Sequence, residues 1–503
     1  MITLRDFIVH KKLTIGNIKV EAKKVSAEYC IHRFDAKILS YEFSYVYENN
    51  HFDPESYSDV NLACMMLAQV ALNYGLFFEE IEFDGLFDAA DERFIREMTE
   101  NTSVEILINK LLTENPFLHS SYKKLEFVKQ EIYTAASIRF MNSRFGYLTM
   151  TKKSCSTNKD AFAILSSGGK ESLLSYGLLN ELGEAYPIFV NESGRHWFTA
   201  YNAFHFLKIH DSRTAKPWTN SDRVFNWFLK NLPFIKENYN DIRADIYPLR
   251  LWTVAIFVFA VLPVARSNNI GNIIIGNEYD TTVRGVYKGI THYKGLYDQS
   301  RYFDKYLSKY YQQKGWNISQ YSLLRNLSEM LGLKILVNRY PDFHKLQVSC
   351  HAAHSEDGRM YPCGKCEKCH RIIGMLLAMK ATPERCGYNS TQISKGLTSL
   401  AVHGTHQIES DRAHLYHLML NKGIIESNVF TKKLAKPHPE IFKLRFWDDK
   451  NRLSEIPSHL RLPLLNILSK YSDGAVRMVD GKWQEISTEE LLNNCNNYSD
   501  GKN

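Results

Sequence analysis

The sequence predicts an α/β protein built on a parallel sheet, flanked by an α+β N-terminal domain and a mainly helical C-terminal lobe. Three observations predict it. Residues 162–182 run from an apolar segment through a Ser-Gly-Gly turn into a helical pattern. From residue 160 short apolar runs alternate with helical patterns, the signature of a parallel layer. Four of the nine cysteines fall within residues 350–369, a clustering that marks a metal-bound segment. The expected organisation is an accessory domain over 1–155, the nucleotide-binding domain over 156–345, a four-cysteine segment over 346–390 and an accessory lobe over 391–503.

The 503 residues are enough for two to four domains with real cores. An apolar content of 44% and a charged content of 23% are those of an ordinary globular protein. A formal charge of +7 is mild for this length; it permits an anionic ligand and gives little support to nucleic-acid binding. The first residues lack an apolar stretch of secretory length. The longest apolar run, residues 251–265, contains Pro263 and falls short of the ~20 residues a bilayer needs, so a buried core helix is expected there. A cytoplasmic protein without membrane contact is therefore expected.

In the N-terminal region, residues 19–22 and 39–47 read as strands, the second alternating polar and apolar residues. From Asp59 the pattern turns helical, with Leu62, Met66, Val70 and Tyr74 at four-residue steps and Ser58 or Asp59 as cap. Helical patches follow at residues 92–98 and 104–112, and a polar run at 152–159 marks the boundary. No catalytic constellation appears before it.

The next stretch organises the chain. An apolar strand, residues 162–165, feeds Ser166-Ser167-Gly168-Gly169-Lys170-Glu171-Ser172 and then a helix. Glycines at such a junction leave the first helical N–H groups pointing outward, where they and the helix dipole favour phosphate. Lys170 adds charge, and Ser166, Ser167 and Ser172 add hydroxyls. The Walker pattern fails, because Glu171 follows Lys170 and Ile164 stands where the first glycine belongs; the dinucleotide pattern fails because the glycines are adjacent. A second strand, residues 186–190, ends in a polar cluster that includes Glu192, Arg195 and His196, and a third, residues 272–276, ends in Asn277, Glu278, Tyr279 and Asp280. Ligands of open α/β sheets bind along that edge. The ring-rich segment 292–303 carries Tyr297, Asp298 and Arg301, types suited to a planar heterocycle, and also reads as a loop entering a helix.

Cys350, Cys363, Cys366 and Cys369 are spaced C-x12-C-x2-C-x2-C. Four thiols so close predict a structural Zn²⁺ site with no open position, and Lys365, Lys368 and Arg371 would offset its charge. Cys366 to His370 also fits the haem-attachment pattern, and an iron–sulfur cluster also takes four thiolates. Cys30, Cys64, Cys155, Cys386 and Cys495 read as scattered filler, and His351, His354 and His370 as solvated or capping groups.

The S-G-G-K-E-S run resembles the S-G-G-x-D-S loop of N-type (PP-loop) ATP pyrophosphatases, with Glu171 replacing the usual Asp. Those enzymes cleave ATP between the α and β phosphates. Combined with the cysteine knuckle, it resembles the QueC (7-cyano-7-deazaguanine synthase) family over about residues 160–385. Arg195-His196 stands where that family ends its Y-G-Q-R-H stretch, with Glu192, Ser193 and Gly194 replacing the first three residues. Residues 297–301 stand for its Y-P-D-C-R stretch, with Asp298, Gln299 and Ser300 in the middle. The cysteines match its zinc ligands, with a longer first gap.

The resemblance implies adenylation of 7-carboxy-7-deazaguanine by ATP, then attack by an amine to form an amide. Ser166, Ser167, Gly168, Gly169, Lys170 and Ser172 would hold ATP and pyrophosphate. Lys170, Glu171 and Asp280 would be catalytic, with Glu171 or Asp280 placing Mg²⁺. Arg195, Glu278, Tyr297, Asp298 and Arg301 would face the 7-deazaguanine. About 155 extra residues before the matching core and about 115 after it resemble enlarged QueC-like proteins of antiphage operons, including type IV CBASS, whose acceptor can be a protein N-terminus. A protein acceptor is thus expected, and a homodimer is left open. The competing readings are a queuosine-precursor nitrile synthase using ammonia, a tRNA-modifying enzyme, and an inactive zinc-stabilised scaffold.

The lobe after Gly387 carries His403, His406, His414 and His417, without obvious ligand spacing, and apolar runs at 441–447 and 460–465 that read as short helices. Residues 493–503 read as a frayed tail.

Overall fold

The computed structural model describes residues 2–123, 125–142, 156–242, 246–350, 352–487, 489 and 491. Expectations placed on residues 152–155, His351, Cys495 and 493–503 lie outside them.

Strands β1 (His10–Glu21), β2 (Lys24–His32) and β3 (Ile38–Val46) form an antiparallel meander. Helix α1 (Tyr57–Ala68) starts at Ser56, whose side chain accepts from the Asp59 N–H, and is buried along most of its length. Strand β4 (Phe78–Asp84) then pairs parallel with β1. Helix α2 (Ala89–Ile106) opens with a capping box between Asp88 and Asp91, and β5 (Ser137–Met141) adds parallel to β4. The α+β character of this region follows directly.

The central sheet is wholly parallel, in the order β12 (Ser319–Tyr321), β9 (Ile270–Ile274), β6 (Asn158–Leu165), β7 (Glu184–Ile188). Strand β6 (Asn158–Leu165) leads into α3 (Lys170–Leu182) and β7 (Glu184–Ile188), followed by α4 (His196–His210), β8 (Trp218–Thr219) and α5 (Ser221–Lys230). The apolar run of residues 251–265 forms the buried helix α6 (Val254–Ser267), which feeds β9 (Ile270–Ile274). A hairpin of β10 (Gly285–Tyr287) and β11 (Ile290–His292), helix α7 (Arg301–Gln313), strand β12 (Ser319–Tyr321) and helix α8 (Glu329–Arg339) complete the layer.

Side chains of β6 alternate between two cores, as a strand covered on both faces must. Ala161 and Ala163 face one core, shared with the N-terminal sheet and α6. Phe162 and Ile164 face the other, shared with α3, α8, the cysteine segment and the C-terminal lobe. The two sheets are joined through one short segment. Ala215 and Trp218 bridge parallel to Ile188 and Asn191, while Trp218 and Thr219 pair antiparallel with Val46 and Tyr45.

After α9 (Pro341–His344) and the β13 (His354–Glu356) and β14 (Arg359–Tyr361) hairpin, the chain is helical through α10 (Glu367–Ala378), α11 (Ser390–His403), α12 (Glu409–Asn421) and α13 (Val429–Leu434). The lobe is not only helical. Residues 441–447, which read as a helix, contain β15 (Leu444–Phe446), and after α14 (Ser458–Leu468) this strand pairs with β16 (Ala475–Val479), itself paired with β17 (Lys482–Ile486). Three buried residues in a row are too short a run to distinguish helix from strand by periodicity. No helix among the described residues is long and apolar enough to cross a membrane.

Candidate active site and metal centre

The C-terminal ends of β6, β7 and β9 converge on a cleft of about 990 Å³. At its centre the turn after β6 bends through Gly168 at φ +71°. A Cβ there would lie 2.4 Å from the Thr199 carbonyl oxygen, so glycine is required both by the left-handed backbone and by the approach of α4. Ser166 Oγ lies 3.4 Å from the Gly168 N–H and donates to Ser172 Oγ at 3.2 Å; Ser172 in turn donates to the Gly169 carbonyl at 3.1 Å. Thr199 ties α4 to the turn by donating to the Ser167 carbonyl. Gly169 is the cap of α3, which leaves the first helical N–H groups without intrahelical acceptors at the cleft floor.

Lys170, the first residue of α3, is buried among carboxylates. Its Nζ contacts Glu171 and lies 3.4 Å from Glu278 Oε2 and 3.3 Å from Glu329 Oε1. Glu329 is also 3.5 Å from Arg371 Nε. Burial alone would drive the Lys170 ammonium toward neutrality, but the three carboxylates more than reverse this and hold it protonated. Burial opposes ionisation of Glu329 too, yet Lys170 and Arg371 outweigh it and bring its carboxyl down to about 2. Glu171 is likewise lowered against its burial by Lys170. Glu278 and Asp280 go the other way: burial raises both, and the neighbouring carboxylates add to the shift.

The sequence-derived site residues divide cleanly. Ser166, Ser167, Gly169, Lys170, Glu171, Ser172, Arg195, Glu278 and Asp280 line the cleft, with Gly168 holding the turn beneath it. Tyr297, Asp298 and Arg301 do not reach it. Tyr297 packs edge-on against Tyr293 and near Phe303. Asp298 caps α6, accepting from the Thr253 N–H at 3.0 Å and the Val254 N–H at 2.7 Å. Arg301 donates to Glu455 and to the Asp448 carbonyl, pinning the C-terminal lobe to α7. The ring-rich segment is thus a loop that caps and packs helices, and the substrate-facing role expected for these three is corrected accordingly.

Several lining residues escaped the sequence reading: Glu329, Arg371, Thr199, Asp222, Tyr247 and Arg250. Glu329 follows the capping Ser328 by one residue, which marks a helix start but not a site. Arg371 lies two residues beyond Cys369, close enough to the knuckle to be foreseen only as a counter-charge.

The four cysteines come together. Their sulfurs all lie within 4.8 Å of one another, the one group among the described residues whose Cys, His, Asp or Glu ligand atoms converge in this way. Sulfur separations of 3.5 Å (Cys366–Cys369) and 3.9 Å (Cys363–Cys369) bracket the ~3.8 Å edge of a tetrahedron with Zn–S bonds of ~2.3 Å. The group could therefore hold a metal ion such as zinc. Two N–H groups, of Ala352 and Cys363, point at Cys350 Sγ at 3.2 Å, and the Lys365 N–H at Cys363. Cys386 stands apart, 3.3 Å from His344 Nε2, and His370 packs against Gly396. Of the lobe histidines, His414 stacks on His417 and accepts from the His438 N–H.

The cysteine cluster and the cleft share an element. Cys366 caps α10, Cys369 sits in its first turn, and Lys368 and Arg371 of the same helix line the cleft beside Cys350. The carboxylates offer oxygen ligands of the kind Mg²⁺ takes, but they are neutralised from within by Lys170 rather than gathered around a common point. Compared with known proteins, the chain matches no family model and no curated protein sequence.

Proposed function

We propose that this protein is an ATP-dependent, QueC-like adenylating ligase that activates a 7-deazaguanine carboxylate and passes it to an amine as an amide. The acceptor in this reading is a protein N-terminus, in an antiviral setting. The observation that carries the reading is the Ser-Gly-Gly turn at the parallel sheet's C-terminal edge, opening with buried carboxylates into one large cleft.

The substrate carboxylate attacks the α-phosphorus of ATP, the α–β bridging P–O bond breaks, and pyrophosphate departs. Its charge falls on the free N–H groups at the start of α3, where the helix dipole and Lys170 favour an anion. Lys170 stays protonated throughout and trades a carboxylate partner for a phosphate oxygen. Glu171, Glu278, Asp280 and Glu329 are the residues that would hold Mg²⁺, which would supply neutralisation of the phosphate charge. The amine nitrogen then attacks the acyl carbon and AMP leaves. Ile246 and Tyr247, which line the cleft and are each at least 37% exposed, suit a polypeptide acceptor better than ammonia.

The test is conversion of radiolabelled ATP to AMP and pyrophosphate in the presence of 7-carboxy-7-deazaguanine. The expected result is turnover that falls at least ~100-fold in Ser172→Ala combined with Lys170→Ala. Turnover that persists undiminished in that variant, or no turnover by the parent with the acid and an amine, sinks the proposal.

A further inference from the structure

The chain leaves the cleft at Thr281 and returns to it at Leu296, and between the two the β10–β11 hairpin stands at the rim. Lys288 and Gly289 form its turn, at φ 46° and 84°, the two-residue left-handed type that closes on a hydrogen-bonded pair, Tyr287 with Ile290. The next pair, Val286 with Thr291, is then of the non-hydrogen-bonded kind, and its N–H and C=O groups point outward along the two edges. No other strand or loop backbone takes them up among the described residues. Val286 itself is 73% exposed.

Four exposed cations fringe this edge. Arg284 lies over the Tyr302 ring at 4.9 Å and Lys288 over the Phe127 ring at 5.2 Å, while Lys294 packs against Gly285 and Lys129 reaches Gly289 at the tip. None of the four enters an ion pair among the described residues, whereas Lys24 and Lys208 on other faces are held by Glu42 and Glu48. A ring face fixes a cation without cancelling its charge. Such a fringe turns away a second copy of the hairpin, or any basic strand, and leaves the edge open to an acidic one. Arg284 and Lys288 flank Val286 at two-residue steps, the spacing of side chains along one face of an extended partner. Rings that carry cations on their faces are poor platforms for nucleotide bases, and only a polypeptide backbone matches the outward N–H and C=O groups.

We infer that the β10–β11 hairpin is a docking edge for an extended, acidic polypeptide, which pairs its backbone with Val286 and sets its carboxylates against Arg284 and Lys288. Lys129 and Lys294 extend the same positive fringe to the tip and the base. The inference goes beyond the ligase reading and does not rest on it.

The experiment is a fluorescence-anisotropy titration of the full chain, without ATP, with a labelled peptide of alternating Glu and Val, its Lys–Val counterpart and a single-stranded DNA oligonucleotide. The expected result is binding of the Glu–Val peptide that weakens with salt and falls at least ~10-fold when Arg284→Glu and Lys288→Glu are combined. Val286→Pro removes only an outward N–H, so the hairpin ladder survives while affinity drops several-fold; Val286→Ala, which keeps the N–H, is its control. Thermal melting shows whether the charge reversals fold, and if they do not, Lys129→Glu, on a separate segment, is read the same way with a smaller loss. No binding of the Glu–Val peptide, equal binding of the Lys–Val peptide, tighter binding of the DNA, or full affinity in Val286→Pro overturns the inference. Docking without pyrophosphate release in the assay above keeps it and sinks the ligase reading; release without docking does the reverse.

Discussion

Two clusters of four ionisable side chains meet along helix α10, and they solve the same electrostatic problem in opposite ways. The thiols of Cys350, Cys363, Cys366 and Cys369 converge in a group that could hold a metal ion to balance their charge. The carboxylates of Glu171, Glu278, Asp280 and Glu329 enclose or adjoin Lys170, with Arg371 behind Glu329. The first cluster, with a metal ion in it, would be a closed tie. The second carries its own counter-ion, which in the proposed reaction lets go of a carboxylate when a phosphate arrives. A charged group that must exchange partners is better served by an internal lysine than by a tightly bound ion.

The largest expected effect breaks the first cluster. Cys369→Ser, or removal of metal with a strong chelator, is expected to cost at least ~5 kcal/mol, because binding energy at such a site is folding energy. Metal content and thermal melting measured together check this; a metal-free sample that melts unchanged would erase the contrast. Next comes Lys170→Met, which strips the second cluster of its cation and leaves buried carboxylates uncompensated, at a cost of ~3–5 kcal/mol. Urea unfolding with and without Mg²⁺ sharpens the point, since added Mg²⁺ should stabilise the variant more than the parent. The smallest effect lies outside both. Asp298→Asn keeps an acceptor for the start of α6 and is expected to cost ~1 kcal/mol, with no change in KM for the acid in the pyrophosphate assay.

Those residues also mark what sequence reasoning reaches. The Ser-Gly-Gly turn and the cysteine quartet were legible because each is local: a few adjacent residues fix a backbone bend, or set the spacing of ligands on a turn. The parallel strands were legible because β6 and β9 are short apolar runs ending in polar clusters. Glu329 and Arg250 were not, because each reaches the cleft from an element far along the chain and announces itself only once the sheet is assembled. Asp298 misled for a related reason. A carboxylate beside tyrosines looks the same in sequence whether it meets a ligand or the two N–H groups at the start of α6. The three-stranded sheet of the C-terminal lobe was hidden by strands too short to show a period.

Tyr74 and Phe117, from the region that precedes the parallel sheet, line the same cleft as the glycine turn. The segment 215–219 laces the two sheets edge to edge. A ligand seated between them would therefore act as a keystone, and cutting away the first 155 residues would unroof the chamber and leave β8 with only its bridge to Asn191.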